Sequence, residues 1–281
     1  MKKKSYENIL LEKGDGITWV TLNRPEKRNA MSPQLHYDMD DALDELAADA
    51  ETNVLVLTGA GESFCAGQDL KLYFRDTANN PAVRRRSNEA AHSWFWERLT
   101  TFPKPTIAMV NGYCFGGGLT PVCACDFAIA ADDALFGLSE INWGILPGGY
   151  VSWNIANVMS FRDAMHYAVS GDTFDGQKAE ELRFVTFSVP KAKLRQATID
   201  YAHMLMGKNP AAVRYTKDAI RTVKGLSAHE AVDYLRAKSD ALKLTDDENG
   251  REQGMSQFLD EKSYRPGLGP YERRPGKKRE E

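Results

Sequence analysis

Two glycine-bearing loops about fifty residues apart constrain this chain more than any other feature. The first, Ser63–Leu70, reads Ser-Phe-Cys-Ala-Gly-Gln-Asp-Leu, and the second, Asn111–Thr120, reads Asn-Gly-Tyr-Cys-Phe-Gly-Gly-Gly-Leu-Thr. Each follows an apolar β-like run, Val54–Gly59 and Thr106–Val110, and each leads into a helix-forming stretch. A strand–loop–helix join aims free backbone N–H groups at one point, beside the positive end of a helix. Two such joins converging would hold a developing oxyanion from two sides, as an enzyme that forms an enolate requires. Taken singly, either loop reads better as structure, the triple glycine as a turn and Gly67 as a helix cap. Neither has the spacing of a dinucleotide-binding fingerprint, and the P-loop pattern is absent.

The surrounding pattern predicts an α/β fold. Ile9–Glu12 and Ile17–Leu22 read as a hairpin around Lys13-Gly14-Asp15-Gly16. Ser32 and Pro33 mark a helix start, and Met39, Leu43 and Leu46 share one face of a helix reaching Ala48. Arg84–Leu99 is a long helical pattern carrying three consecutive aromatic residues, Trp94-Phe95-Trp96. Gly117–Cys123 reads as a helix and Asp126–Ala130 as a strand. From Ala192 onward the pattern is all helical, over Ala192–Met206, Ala211–Val223, Ser227–Lys243 and Asn249–Leu259. The domain expectation is a core over 1–191, a helical region over 192–264 and a flexible tail over 265–281, where Pro, Gly and charge mix.

At 281 residues the chain can bury a substantial core. Its net charge of −3 gives no bulk reason to expect nucleic acid as a partner. No apolar run reaches the length of a membrane span, and the lysines at the start are not followed by a signal-peptide core. The four cysteines, Cys65, Cys114, Cys123 and Cys125, sit in apolar segments and read as buried thiols of a cytoplasmic protein. The five histidines show no metal-ligand spacing, so no metal is expected.

Four segments in order resemble the crotonase (enoyl-CoA hydratase/isomerase) superfamily: Leu22–Ala30, Ala66–Leu70, Lys104–Gly112 and the triple glycine. The similarity runs from about Ile9 to Leu259. It implies a spiral of ββα units and a C-terminal helical region that packs trimers or dimers of trimers. By the same resemblance, backbone N–H groups of Gln68 and Gly117 form the oxyanion hole. The carrier it implies is coenzyme A as part of an acyl-CoA thioester substrate, with no separate cofactor. Glu26, Lys27, Arg28 and Ala30 match the segment bordering the pantetheine and nucleotide. Backbone around Ala66 and Leu70 would frame the adenine, Asp69 is a further candidate to meet coenzyme A, and Lys262 lies toward the nucleotide end. A lone Lys-Arg pair is otherwise an ordinary solvated face.

Glu140 lies among apolar neighbours in Phe136–Gly144, a setting that raises a carboxyl pKa and suits proton transfer near neutrality. A capping or surface glutamate is the plainer reading of the residue alone. Its position matches one of the two glutamates of enoyl-CoA hydratases, whereas Thr120 stands where those enzymes carry the second. Thr120 reads either as a helix-terminal residue or as a hydroxyl that bonds water or the thioester. With one carboxylate absent, a substrate must activate its own β-carbon, as a para-hydroxyphenyl group does through quinone-methide character. Tyr73 and Tyr234 are the candidates to hold such a phenol. Together with Gly137–Gly144, Tyr73-Phe74 and Arg251–Met255, they resemble the hydroxycinnamoyl-CoA hydratase-lyases. Departures are Thr120 in place of serine, Gln68 in place of methionine and a longer basic tail. Because Gln68 is expected to act through its backbone, its side chain is expected to matter less. Cys114, Cys123 and Trp143 are expected to be packing residues. The alternatives are another hydratase or isomerase acting on an aliphatic acyl-CoA, and a non-catalytic acyl-CoA-binding member.

Overall fold

A computed structural model describes residues 5–265, 267 and 269–274. They form two compact units, the first running up to Phe102 with Thr106–Asp200, the second comprising Pro103–Pro105 with the residues from Tyr201 on.

The first unit is built on two sheets. Strands β1 (Ile9–Gly14), β2 (Ile17–Leu22), β3 (Val54–Gly59), β5 (Thr106–Val110), β7 (Phe127–Ala131) and β10 (Phe187–Val189) form one, in the order 1-2-3-5-7-10. Only the β1–β2 hairpin is antiparallel. Every residue of β3 and β5 is buried, which is why both read as continuous apolar runs rather than alternating ones. The helix α1 (Pro33–Ala48) starts where Ser32 accepts the Leu35 amide at 3.2 Å, and it buries Leu35, Met39, Leu43 and Leu46. The 81–101 stretch is α2 (Pro81–His92), a π-helical turn over Ser93–Arg98 and α3 (Leu99–Thr101). It buries Trp94 and Phe95.

The second sheet, of β4 (Ser63–Cys65), β6 (Tyr113–Phe115), β8 (Leu135–Gly137) and β9 (Thr173–Asp175), is not evident in the sequence. Its strands have three residues each, too short to show a period. Within it β4 and β6 pair in parallel with Cys65 opposite Cys114, and so bring the two glycine loops side by side. The loops are thus strand–strand–helix joins. After β6 come a 3₁₀ turn over Gly116–Gly118 and α4 (Leu119–Ala124). The helices α5 (Val151–Val158), α6 (Phe161–Ser170) and α7 (Gly176–Glu181) complete the core. Cys65, Cys114 and Cys125 are buried as expected, and Cys123 is half-buried.

Helix α8 (Leu194–Met206) precedes the helices of the second unit, α9 (Pro210–Val223), α10 (Ala228–Thr245) and α11 (Gly250–Leu259). A capping box between Ser227 and Glu230 starts α10. Within the tail expected from 265, the backbone of Glu272 and Arg274 is hydrogen-bonded to α11. Gln257 brackets Glu272, donating to its carbonyl at 2.8 Å and accepting its amide at 2.9 Å. One turn earlier on α11, Gln253 treats Arg274 the same way, at 2.9 Å in each direction. Two glutamines at i and i+4 share a helix face and so satisfy the edge of an extended segment laid along it. The remainder of that expectation, 275–281 with 266 and 268, lies outside the described residues. No described helix is long and apolar enough to cross a membrane.

Candidate active site

The paired loops open on a cavity of about 520 Å³ lined by residues of the first unit. Two asparagines hold the turn from β3 into β4 that leads to the first loop. Asn29 donates to the carbonyls of Ser63 at 2.7 Å and Ala60 at 2.9 Å, and Asn111 donates to those of Gly59 and Gly61, each at 2.9 Å. Both belong to the motif segments. Their role here is to satisfy loop carbonyls that no ladder reaches.

Within that frame, the Ala66 amide donates to the Arg28 carbonyl at 2.9 Å and the Asp69 amide to the Met31 carbonyl at 2.9 Å. The Gln68 amide between them has no backbone partner among the described residues. Gly117 lies in the first turn of its helix, where amides lack an intrahelical acceptor. A carbon placed at a Gly117 Cβ would lie 3.9 Å from the Gln68 nitrogen, so the two residues stand close together. Close approach depends on glycine. Gly67 has φ +90°, and a Cβ there would meet the Phe115 carbonyl oxygen at 2.9 Å. Gly67→Ala is therefore expected to cost on the order of 1–3 kcal/mol, seen as a melting transition several degrees lower. An unchanged melt would show that the loops tolerate separation.

Glu140 stands in a 3₁₀ turn over Ser139–Trp143. Its Oε1 would lie 3.0 Å from a Gly116 Cβ, and Gly116 has φ +52°, so this carboxylate sits where only glycine leaves room. Its Oε2 is buried with no hydrogen-bond partner. Burial raises its pKa above the ordinary carboxyl value, against a weaker opposing bond from its own backbone amide. It is the one carboxylate among the residues that line the cavity. Thr120, on α4, lines the same cavity, is 1% exposed and has no bond from its hydroxyl among the described residues. Tyr73 also lines it, in the π-helical turn over Leu70–Arg75. Its hydroxyl donates to Asn88 Oδ1 at 2.7 Å, and burial raises its pKa.

Of the residues expected to meet coenzyme A, Arg28, Ala66 and Leu70 line the cavity. Arg28 has φ +49°, and its guanidinium lies 5.0 Å over the Tyr113 ring. Glu26 and Lys27 are exposed on a 3₁₀ turn over Pro25–Lys27, and Ala30 is half-buried, its carbonyl accepting from Arg24 Nη1. Asp69 is not among the residues that line the cavity. Its carboxylate accepts the Lys71 and Leu72 amides at 3.1 and 2.9 Å and pairs with Arg24 at 3.0 Å. Burial alone would raise its pKa, but the Leu72 amide and Arg24 together lower it. Committed to these partners, it shapes the loop and presents no free charge. Lys262 and Tyr234 belong to the second unit. Lys262 is exposed with φ +58°. The Tyr234 hydroxyl is 3.2 Å from Thr222 Oγ1, and the Lys238 ammonium lies 5.3 Å over its ring.

Sequence reasoning missed several cavity residues. Trp143, expected as packing, is 67% exposed and lines the cavity, as do Phe95 and Tyr150. It also missed His36, which is buried beneath the first loop and bonded to Gln68 and Trp94. Burial pushes His36 down to about 4, against the opposing bond from Gln68. A histidine on the apolar face of α1 was the available signal.

Residues 12–265 match the model of the enoyl-CoA hydratase/isomerase family. The chain is 51% identical over 269 residues to the hydroxycinnamoyl-CoA hydratase-lyase of Pseudomonas fluorescens, covering 95% of this chain and 98% of that one. Among solved structures it resembles an enoyl-CoA hydratase from Bacillus anthracis, with a TM-score of 0.82 and 29% identity over 95% of this chain and 99% of that one. An enoyl-CoA hydratase from Polaromonas sp. JS666 gives a TM-score of 0.82 at 27% identity, over 90% and 97%.

Proposed function

This chain belongs to the enoyl-CoA hydratase/isomerase family, and we propose that it hydrates and then cleaves 4-hydroxycinnamoyl-CoA thioesters, such as feruloyl-CoA, to an aromatic aldehyde and acetyl-CoA. The observation that carries this reading is the 51% identity, over nearly the whole of both chains, to a hydroxycinnamoyl-CoA hydratase-lyase. The cavity supports it in bringing Gln68, Gly117, Thr120 and one carboxylate, Glu140, into a single lining.

In the first step water adds across the double bond, its oxygen to Cβ and a proton to Cα. Glu140 manages the proton, and the Gln68 and Gly117 amides stabilise the charge that develops on the thioester oxygen. Glu140 then takes the β-hydroxyl proton. The Cα–Cβ bond breaks, its electron pair passes into the acetyl-CoA enolate, and the aldehyde leaves. Glu140 returns the proton to the enolate carbon, so the enzyme ends as it began. Thr120 is the proposed partner of the attacking water, and Tyr73 and Tyr234 are the proposed partners of the phenol. Arg28, Lys27, Ala66 and Leu70 are the proposed border of coenzyme A, with Glu26, Ala30 and Lys262 more distant candidates. No further cofactor enters this scheme. Incubation with feruloyl-CoA tests it: its long-wavelength absorbance should fall as vanillin appears in equal amount. Absorbance lost without aldehyde would leave a hydratase only.

The functional assembly we propose is a homotrimer or a dimer of trimers. Helices α9 and α10 have no buried residue, and Ile220 and Leu244 are 68% and 73% exposed. Exposed apolar residues of this kind mark an interface. Light scattering is expected to return three or six times the 31.4 kDa chain mass, and a monodisperse monomer at micromolar concentration would refute it. A cytoplasmic location fits a chain whose cysteines are all free thiols.

A further inference from the structure

The Gln68 side chain is not incidental to its backbone role. Trp94 Nε1 donates to His36 Nδ1 at 2.8 Å. An indole N–H can only donate, so His36 Nδ1 bears a lone pair and its proton sits on Nε2. That Nε2–H in turn meets Gln68 Oε1 at 2.8 Å. The opposite amide orientation would set two donors against each other, so the chain Trp94→His36→Gln68 has one direction and fixes the glutamine with its oxygen inward. The amide nitrogen is left with no partner among the described residues, on a residue that lines the cavity. Its place there follows from its neighbours. Gln68 Cγ is 3.6 Å from the position of a Gly117 Cβ, and His36 packs edge-on against Tyr73 with ring centroids 5.2 Å apart. The free amide therefore belongs to the wall between the oxyanion donors and the tyrosine assigned to the phenol.

We propose that the Gln68 side-chain amide, held by His36 and Trp94, donates to an oxygen at the ring position beside the phenol, and so selects 3-hydroxy- or 3-methoxy-substituted 4-hydroxycinnamoyl thioesters over the unsubstituted ring. This rests on the hydratase-lyase reading above. An unsubstituted ring offers only C–H at that position and leaves a desolvated donor unpaired, which is how a polar site rejects an analogue lacking its acceptor. His36 is a positioning residue here. It acts only through the orientation of Gln68.

The test compares kcat/KM for feruloyl-CoA, caffeoyl-CoA and 4-coumaroyl-CoA in wild type, Gln68→Met, His36→Phe and the double variant. Methionine keeps the backbone amide and the length of the side chain, so the oxyanion donor persists. Whatever happens to the common rate, the feruloyl-to-coumaroyl and caffeoyl-to-coumaroyl ratios should fall about three- to tenfold in Gln68→Met, the size of one neutral hydrogen bond. His36→Phe should lower the same ratios, and the double variant should lower them no further than Gln68→Met alone. A merely structural role would slow all three substrates alike and leave the ratios fixed. Wild type active with ratios unchanged in Gln68→Met overturns the proposal by itself. Should His36→Phe fail to fold, the Gln68→Met ratio still decides. Wild type inert toward all three thioesters removes the hydratase-lyase reading, and this inference with it.

Discussion

Glu140→Gln is expected to lower turnover of feruloyl-CoA by ~10²–10⁴-fold, the usual contribution of a positioned general acid–base. Glutamine matches the shape of glutamate above Gly116, where the carboxylate would stand 3.0 Å from an added Cβ, so packing and acyl-CoA affinity should survive. What it cannot do is take the β-hydroxyl proton and hand it to the enolate. No other carboxylate lines the cavity to substitute. Calorimetric binding of a non-reactive acyl-CoA should therefore stay within a few-fold of wild type while the rate collapses. A rate within a few-fold of wild type would remove Glu140 from the mechanism. Stability should move the other way. Burial raises the Glu140 pKa, so the folded protein holds a proton that the unfolded chain has released. Stability then falls as pH rises from the ordinary carboxyl value through the raised one. The amide does not titrate, so at neutral pH Glu140→Gln should melt no lower than wild type. A lower melt would give the carboxylate a structural role instead.

The elements that carry the largest apolar patterns were legible before the structure. Strands β3 and β5 and the first turn of α1 fall where hydrophobic runs and the Ser32-Pro33 signal put them, because burial and capping are local instructions. The second sheet was not, since β4 and β6 owe their extended form to each other rather than to their own residues. It is this pairing that brings two separate glycine loops side by side. The same division runs through the side chains. The candidacy of Glu140 and Gly117 comes from their motif positions, whereas the direction of the Gln68 amide depends on His36, 32 residues away, and on Trp94, 58 residues beyond His36. The Asp69 carboxylate likewise takes its setting from Arg24, a partner distant in the sequence.

Cinnamoyl-CoA and 4-methoxycinnamoyl-CoA are expected to bind yet react at least ~10²-fold more slowly than the 4-hydroxy thioester, the loss that accompanies one missing acid–base partner. Enoyl-CoA hydration by two carboxylates needs nothing from the acyl chain. Here Thr120 stands in place of one of them, and an unperturbed hydroxyl does not ionise near pH 7. The electrons that ready Cβ for water must come from the substrate's para-oxygen, which a methyl ether holds back by forbidding the phenolate and an unsubstituted ring lacks. Charge moving onto that oxygen favours a donor beside it. That part is the one proposed for Tyr73, whose hydroxyl donates to Asn88 Oδ1 at 2.7 Å. Tyr73→Phe should then slow the phenolic substrate by roughly the ~1.5–3 kcal/mol of a hydrogen bond to charge, about 10- to 150-fold. Tyr234→Phe should slow it in the same sense. Both variants should leave the residual rate on cinnamoyl-CoA nearly unmoved, since that ring has no oxygen to hold. If cinnamoyl-CoA or crotonyl-CoA were hydrated as fast as the phenolic thioester, activation would reside in the protein and the chain would be a general enoyl-CoA hydratase.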